Sequence, residues 1–208
     1  AVVTENADKT LSVKMEWMLD DIMVPYIVEY HVCNDGAVIL TASIDMTGRK
    51  LPELPRFGMR MELNGNYDNL EYYGRGPQEN YIDRCDNTFI GCYKDKVANQ
   101  FYPYIRPQET GNKTDVRWLS LSDDNGFGIE ITGLQPLAFS ALHFAPEDLD
   151  PGLTRKLQHV IDVFSRKNIF LHVDLKQRGL GGDNSWGMYP HKEYRLFDKK
   201  YIYSYKIK

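Results

Sequence analysis

The chain has 208 residues, 42% of them hydrophobic, and a formal net charge of -4 at pH 7. A chain of this length can bury the core of one domain, so we expect a single domain over residues 1–208. The net negative charge gives no indication of a basic surface that would bind the phosphates of a nucleic acid. No apolar run approaches the roughly 20 residues that a membrane-spanning helix needs. We therefore expect neither a nucleic acid nor a membrane as partner.

The apolar pattern in the first half of the chain is that of strands joined by turns, with almost no helix. Residues 27–32 alternate, Asn34-Asp35-Gly36 form a turn and residues 38–44 return, which predicts a hairpin. The same pattern predicts a second hairpin, from residues 59–63 through an Asn-Gly-Asn turn into residues 70–73.

Strands also dominate the second half of the chain. The predicted elements are a hairpin of residues 118–121 and 127–132, a strand over residues 137–144, a helical turn over residues 146–149 ending at Asp150-Pro151-Gly152, and strands over residues 169–175 and 201–207. Tyr201, Tyr203 and Tyr205 fall on one face of the last strand, since side chains alternate along a strand. Turns recurring every eight to twelve residues or so are typical of an antiparallel sandwich or barrel.

The cysteines and histidines show no metal-ligand spacing. Cys33, Cys85 and Cys92 cannot all pair and form no C-x-x-C unit, so we expect free thiols, with a bridge between Cys85 and Cys92 as the alternative. The five histidines are scattered without an H-x-x-x-H pair. We expect no metal site.

The stretch GLGGDNSWG, residues 179–187, carries an aromatic side chain among glycines. Glycines are costly to order and are usually retained where φ is positive or another group comes close. The indole of Trp186 suits the apolar face of a sugar ring, because it can stack on C–H groups and still offer an N–H donor. The alternative is a tight turn capped by a core tryptophan.

Two further stretches accompany it, YYGRGPQENYIDR at residues 72–84 and YPYIRPQETGNKTDVRW at residues 102–118. In this order, the three stretches resemble the C-terminal domain of the large β-galactosidases of glycoside hydrolase family 2. The resemblance runs from about Leu54 to the last strand, and we expect the N-terminus to start inside the domain. It implies an all-β, antiparallel supersandwich of the galactose-mutarotase-like kind.

In that family the catalytic glutamates of a retaining mechanism belong to a TIM-barrel domain, which no segment here resembles. The resemblance therefore implies that the chain alone is inactive and has no catalytic residue. It assigns to Trp186, with its neighbours Asp183 and Asn184, contact with the saccharide. The alternative for Asp183 is to order the glycine loop through its side-chain acceptor.

Residues 76–84 resemble the mobile loop beside the active site of such enzymes, which assigns that role to Gly76, Pro77, Gln78, Glu79 and Asn80. Gly74 and Gly76 flank Arg75 in an arrangement suited to a hinge. The alternative is a rigid connector, in which Glu79 and Asp83 brace the loop internally.

Three functions stay open at this point. The first is a non-catalytic β-galactosidase domain whose partners are a galactoside or other saccharide and the remaining domains of a homo-oligomeric parent. The others are an aldose mutarotase or epimerase, which needs a histidine and a glutamate facing one sugar, and a stand-alone carbohydrate-binding module. We expect no cofactor in this chain, and Mg or Na used by the parent would lie in other domains. Cytoplasm and bacterial periplasm both stay open as compartments.

Overall fold

The computed structural model describes residues 1–150, 158–184 and 186–208, and all strand pairs within them are antiparallel. The strands are β1 Val2–Glu5, β2 Leu11–Leu19, β3 Val24–Val32, β4 Val38–Asp45, β5 Arg56–Leu63, β6 Asn69–Gly76, β7 Phe89–Lys96, β8 Lys113–Ser122, β9 Gly128–Leu142, β10 Ile169–Gln177 and β11 Lys200–Ile207. The helix α1 is the single turn Pro146–Leu149, and short 3-10 turns lie at Val97–Asn99, Val160–Asp162 and Lys192–Tyr194. The all-β, antiparallel prediction is confirmed.

One hydrogen-bonded path joins nine of these strands in the order β1-β2-β3-β4-β11-β9-β8-β6-β7, and β10 leaves it by pairing with β9 and β5. The branch is at β9. Its first part pairs with β11, as in Ile131 with Ile207, and its second part pairs with β10, as in Leu142 with Phe170.

The long strand β9 corrects the prediction of two separate strands at residues 127–132 and 137–144. The register on β8 passes from Trp118 opposite Thr132 to Val116 opposite Leu137, so the residues between them bulge out of the ladder. Pro136 lies in this bulge, where its missing N–H costs no ladder bond. The interruption that suggested two strands is therefore a bulge within one.

The branch formed by β5 and β10 packs face to face against β3, β4 and β11. Phe57 of β5 stacks on Tyr201 of β11 at a centroid distance of 5.4 Å and meets Tyr203 edge-on at 5.6 Å. The Tyr203 hydroxyl donates to the carbonyl of Val173 in β10 at 2.9 Å, which satisfies the polar end of a buried ring. Tyr201, Tyr203 and Tyr205 are all buried, as the alternation on β11 predicted.

The hairpin predicted between residues 59–63 and 70–73 is wrong, although both segments are strands. β5 pairs with β10, with Leu63 opposite Ile169, while β6 pairs with β7 and β8. The turn between them packs on another segment, since a Cβ on Gly65 would lie 1.7 Å from the Lys167 carbonyl oxygen. The turn therefore carries the chain from one layer to the other.

The remaining predicted elements agree with the structure, and Pro151-Gly152 of the predicted helix end lies outside the described residues. Cys33, Cys85 and Cys92 are free thiols, as predicted. Within the ranges described, no helix is long and apolar enough to cross a bilayer.

Candidate functional site

The Glu79 carboxylate joins residues 72–84 to residues 102–118. Its Oε2 accepts hydrogen bonds from the Gly111 amide at 2.7 Å and the Thr110 hydroxyl at 3.1 Å. Its Oε1 accepts from the Tyr104 hydroxyl and from Arg84 Nη2, the latter at 2.8 Å. Charge-assisted bonds of this kind are among the stronger contacts in proteins. Glu79 therefore braces the loop that carries it.

Asn80 fixes the same loop to the start of β8. The side chain is fully buried, and its Oδ1 accepts from the Thr114 amide at 2.8 Å and the Thr114 hydroxyl at 2.6 Å. Its backbone N–H donates to the Asn112 carbonyl at 2.8 Å. Pro77 and Gln78, in contrast, are exposed. These contacts support a loop anchored at Asn80 with an exposed tip, and its mobility stays a prediction.

Asp83 connects the loop to the glycine stretch. Its Oδ2 accepts a hydrogen bond from the Gly181 amide at 2.7 Å. A Cβ on Gly179 would lie 2.6 Å from the Asp83 Cγ, so any side chain at position 179 would displace this carboxylate. The structure therefore brings all three sequence stretches together, with Glu79 as one link and Asp83 as the other.

Trp186 lies at the outer end of the glycine stretch, and 92% of its surface is exposed. This confirms the expected exposure, while contact with a saccharide stays a prediction. The Asn184 side-chain oxygen accepts from the Trp186 amide at 2.8 Å, forming a local turn. Asp183 pairs with His191 at 2.7 Å, and this hydrogen bond raises the pKa of His191. Both polar neighbours of Trp186 therefore make contacts that order the loop.

The base of the glycine loop is clamped by Glu53. Its carboxylate accepts from Arg178 Nη1 at 2.7 Å and from Arg195 Nε at 2.7 Å, so it joins the two chain segments on which the loop stands. The Arg195 guanidinium also lies 4.7 Å from the ring centroid of Tyr189. The Arg195 hydrogen bond is the largest contribution that lowers the pKa of Glu53. Sequence reasoning missed this clamp, because Glu53 lies before the first of the three stretches.

A second cluster of charged groups surrounds Arg56 at the start of β5. Arg56 Nη2 donates to Glu109 Oε2 at 2.9 Å and to Gln177 Oε1 at 2.8 Å, and Nε lies 3.3 Å from Asp174 Oδ2. Burial raises the pKa of Asp174 to about 7 and raises the pKa of Glu109 as well, and the charge of Arg56 opposes both shifts without cancelling them. Burial also lowers the pKa of His172 to about 3, which keeps this imidazole neutral at pH 7.

A cavity of about 190 Å³ adjoins the cluster, and its polar lining residues, beside several apolar ones, are Arg56, Glu109, Thr110, Ser140, Asp150 and His172. A histidine and a glutamate thus lie near one another, a pairing for which the sequence showed no motif. However, the His172 Nδ1 lies 2.6 Å from Arg56 Nη1, and its Nε2 is buried without a hydrogen-bond partner. Since arginine can only donate, Nδ1 accepts this bond and the neutral ring carries its proton on Nε2, so neither nitrogen has a free lone pair with which to act as a base.

The carboxylates of the three sequence stretches are engaged in contacts within the chain. Glu79 and Glu109 are both held by donors, and Asp83 holds the glycine loop. Within the described part of the chain, no group of three or more histidine, cysteine or acidic side chains has the geometry to hold a metal ion. What the site offers outward is the indole of Trp186 on a braced loop.

Comparison with known proteins gives a consistent set of relatives. The family model for the β-galactosidase small chain matches residues 2–207. A β-galactosidase of Priestia megaterium is 35% identical over 197 residues, which cover 94% of this chain and 18% of that protein. A β-galactosidase of Streptococcus thermophilus is 31% identical over 206 residues, which cover 93% of this chain and 20% of that protein.

A solved structure of a galactose mutarotase related enzyme from Lactobacillus acidophilus superposes with a TM-score of 0.43 and 9% identity. The superposition covers 99% of this chain and 69% of that one. Compared with the two β-galactosidases, the chain spans only 18% and 20% of their length.

Proposed function

Because the chain belongs to the β-galactosidase small-chain family, we propose that it is a non-catalytic domain of a larger β-galactosidase that completes the active-site pocket. The family match begins at residue 2, so it includes the first strands, in which the sequence shows no recognisable motif. The observation that carries the proposal is the exposed indole of Trp186 on a loop held by Asp83, Glu53 and the pair of Asp183 with His191.

Trp186 acts in this proposal as a stacking surface for the sugar or aglycone next to the cleaved bond. A loop backbone that is already held in place loses less conformational freedom on binding, which favours affinity. Asp183 and Asn184, on the same loop, contribute polar contacts to the ligand. Since one stacking face buries far less of a ligand than a closed pocket, the isolated chain binds free sugar weakly.

Bond cleavage is assigned to other domains of the parent enzyme. A retaining glycosidase needs an acid and a nucleophile with carboxyl groups about 5–5.5 Å apart. Glu79 and Glu109 are committed to Tyr104, Gly111 and Arg56, which suits a bracing role and not that chemistry. The proposed partners are therefore a terminal β-galactoside, the remaining domains and further copies of the parent, with any Mg or Na in those domains.

An aldose mutarotase or epimerase is a weaker proposal. His172 and Glu109 line one cavity, but Arg56 and burial leave no imidazole nitrogen free to accept a proton from a sugar. A stand-alone binding module is distinguished by its affinity, because it must hold sugar without help from other domains.

The test is an NMR titration of the chain with galactose and with lactose, following the indole N–H signals. The proposal predicts that the Trp186 signal shifts while those of Trp17 and Trp118 do not, with a dissociation constant weaker than about 1 mM. Submicromolar binding would favour the stand-alone module. Binding that shifts His172 and leaves Trp186 unchanged would overturn the assignment of the site.

A further inference from the structure

We propose that Asp83 is a positioning residue for Trp186, and that it fixes the glycine stretch against the neighbouring loop so that the indole is presented in one orientation. The inference deepens the proposed function and rests on it for the role of the indole. The juxtaposition of Asp83 with Gly179 and Gly181 carries it.

The contact of Asp83 with the glycine stretch is both polar and steric. The Gly181 N–H donates to Asp83 Oδ2 at 2.7 Å, and a Cβ on Gly181 would lie 3.4 Å from the same oxygen. The methyl group of an alanine at position 179 would overlap the carboxylate, at 2.6 Å from Cγ and 2.7 Å from Oδ2. The two glycines therefore make room for this carboxylate at a conformational cost that its hydrogen bond offsets.

The backbone around Asp83 is itself held, while the second carboxylate oxygen, Oδ1, is buried without a hydrogen-bond partner. Asp83 lies in the tight turn in which Arg84 N–H donates to the Tyr81 carbonyl at 2.9 Å. The Tyr81 ring is almost fully buried, and the Arg84 guanidinium lies 4.7 Å from its centroid while donating to Glu79. The carboxylate is thus attached to the core, and it can restrain a loop that contacts it.

The restraint reaches Trp186 through a short segment. A Cβ on Gly182 would lie 2.2 Å from the Met188 carbonyl oxygen, so the two ends of the turn that carries the indole are in contact. Fixing Gly181 therefore fixes one end of that turn. Without Asp83, the stretch from Gly179 to Gly182 loses a restraint where glycine leaves the backbone most free to move.

Three variants of the chain test this: Asp83→Ala, Asp83→Asn, which keeps a carbonyl acceptor for Gly181, and Gly179→Ala, which crowds the contact from the other side. Asp86→Ala is the control, since Asp86 is an exposed aspartate close by in the sequence. The measurements are amide exchange at Gly181 and Ile131, and the ¹⁵N order parameter of the Trp186 indole.

For Asp83→Ala and Gly179→Ala we expect Gly181 exchange about tenfold faster or more and a lower indole order parameter, with Ile131 unchanged. Asp83→Asn restores most of both properties, and Asp86→Ala changes neither. Equal acceleration at Gly181 and Ile131 would show that Asp83 stabilises the whole fold and would overturn a positioning role. An unchanged indole order parameter in Asp83→Ala and in Gly179→Ala would overturn it as well.

Kinetics in a β-galactosidase that carries the chain separate this inference from the proposed function. If both hold, Asp83→Ala raises KM in the same direction as Trp186→Ala, and adding Asp83→Ala to Trp186→Ala has no further effect on KM. If Trp186→Ala leaves KM unchanged, the proposed function fails, while the exchange and order-parameter results still decide whether Asp83 positions the indole.

Discussion

Asn80 accepts two hydrogen bonds from Thr114, one from its amide at 2.8 Å and one from its hydroxyl at 2.6 Å, and both residues are buried. This contact ties residues 76–84 to the start of strand β8. Because an unpaired buried amide costs free energy, the two residues hold each other in place. The loop therefore has a fixed centre beside an exposed tip.

Rates of amide hydrogen exchange along this loop should differ between its fixed centre and its exposed tip. We expect the amide of the exposed Gln78 to exchange much faster than that of Ile131 in β9, because local opening needs little free energy where few groups are buried. The Asn80 amide, which donates to Asn112 at 2.8 Å, exchanges more slowly than that of Gln78. Protection at Gln78 equal to that at Ile131 would contradict mobility and establish a rigid connector.

Replacing Glu79 by alanine destabilises the chain. The substitution leaves the Gly111 amide, the Tyr104 hydroxyl and Arg84 without their acceptor, at a cost of roughly 2–4 kcal/mol. Urea unfolding measures this loss, with Glu130→Ala as the control at an exposed position on β9. Equal urea midpoints for Glu79→Ala and the wild type would show that the carboxylate braces nothing.

Lys113 gives the stability of the chain a pH dependence. Burial lowers the pKa of Lys113 to about 8 from the model-peptide value of 10.5, and its ammonium contacts Gln100 Oε1 at 3.0 Å. Between these pH values the unfolded chain binds more protons than the folded chain, so the free energy of unfolding rises with pH. Below about pH 8 both states are protonated and the dependence ends.

The measurement is the free energy of unfolding of wild type and Lys113→Met at pH 8 and pH 10. We expect the wild type to gain about 1–3 kcal/mol over the variant across this range, because the tyrosines titrate in both proteins and their effect cancels. Lys94→Met, at a largely exposed lysine, serves as the control. A pH dependence that is the same with and without Lys113 would refute the assignment.

We expect the isolated chain not to hydrolyse an aryl β-galactoside. Cleavage needs an acid and a nucleophile at a fixed separation, and Glu109 is paired with Arg56. Turnover that survives repurification and disappears in Glu109→Gln would place a catalytic group in this chain.

Much of the fold is predictable from the sequence, because alternation along strands such as β3, β4 and β11 reports which face is buried. Strand pairing is less predictable from the sequence. The turn after β5 looks like a hairpin turn, but Gly65 packs on the Lys167 backbone and β5 pairs with a strand about a hundred positions away. The segment between residues 132 and 137 separates two predicted strands, while in the structure it is a bulge within β9. The strands β1, β2 and β7 were not predicted.

At the candidate site, the exposure of Trp186 follows from its neighbours, since glycines and short polar residues supply little to cover an indole. The links between the sequence stretches do not follow from composition. Asp83 binds Gly181, and Glu53 binds Arg178 and Arg195, across sequence separations of 98 to 142 residues. No local pattern signals pairings at such sequence separations.

Trp186→Ala tests the central claim, that the chain presents an indole to substrate and does not bury it in a core. We expect the substitution to change the free energy of unfolding, measured from the urea midpoint, by about 0.5 kcal/mol or less, since Trp186 is 92% exposed. In a β-galactosidase that carries the chain, KM rises roughly two- to tenfold through the lost stacking. Phe164→Ala, at another exposed aromatic residue, is the control and changes neither quantity.

The most direct measurement is therefore KM for a galactoside in the full enzyme, read together with the unfolding free energy of the same Trp186→Ala variant. We expect a raised KM with unchanged stability. An unchanged KM with a stability loss of about 3–5 kcal/mol, the cost of deleting a buried indole, would contradict it.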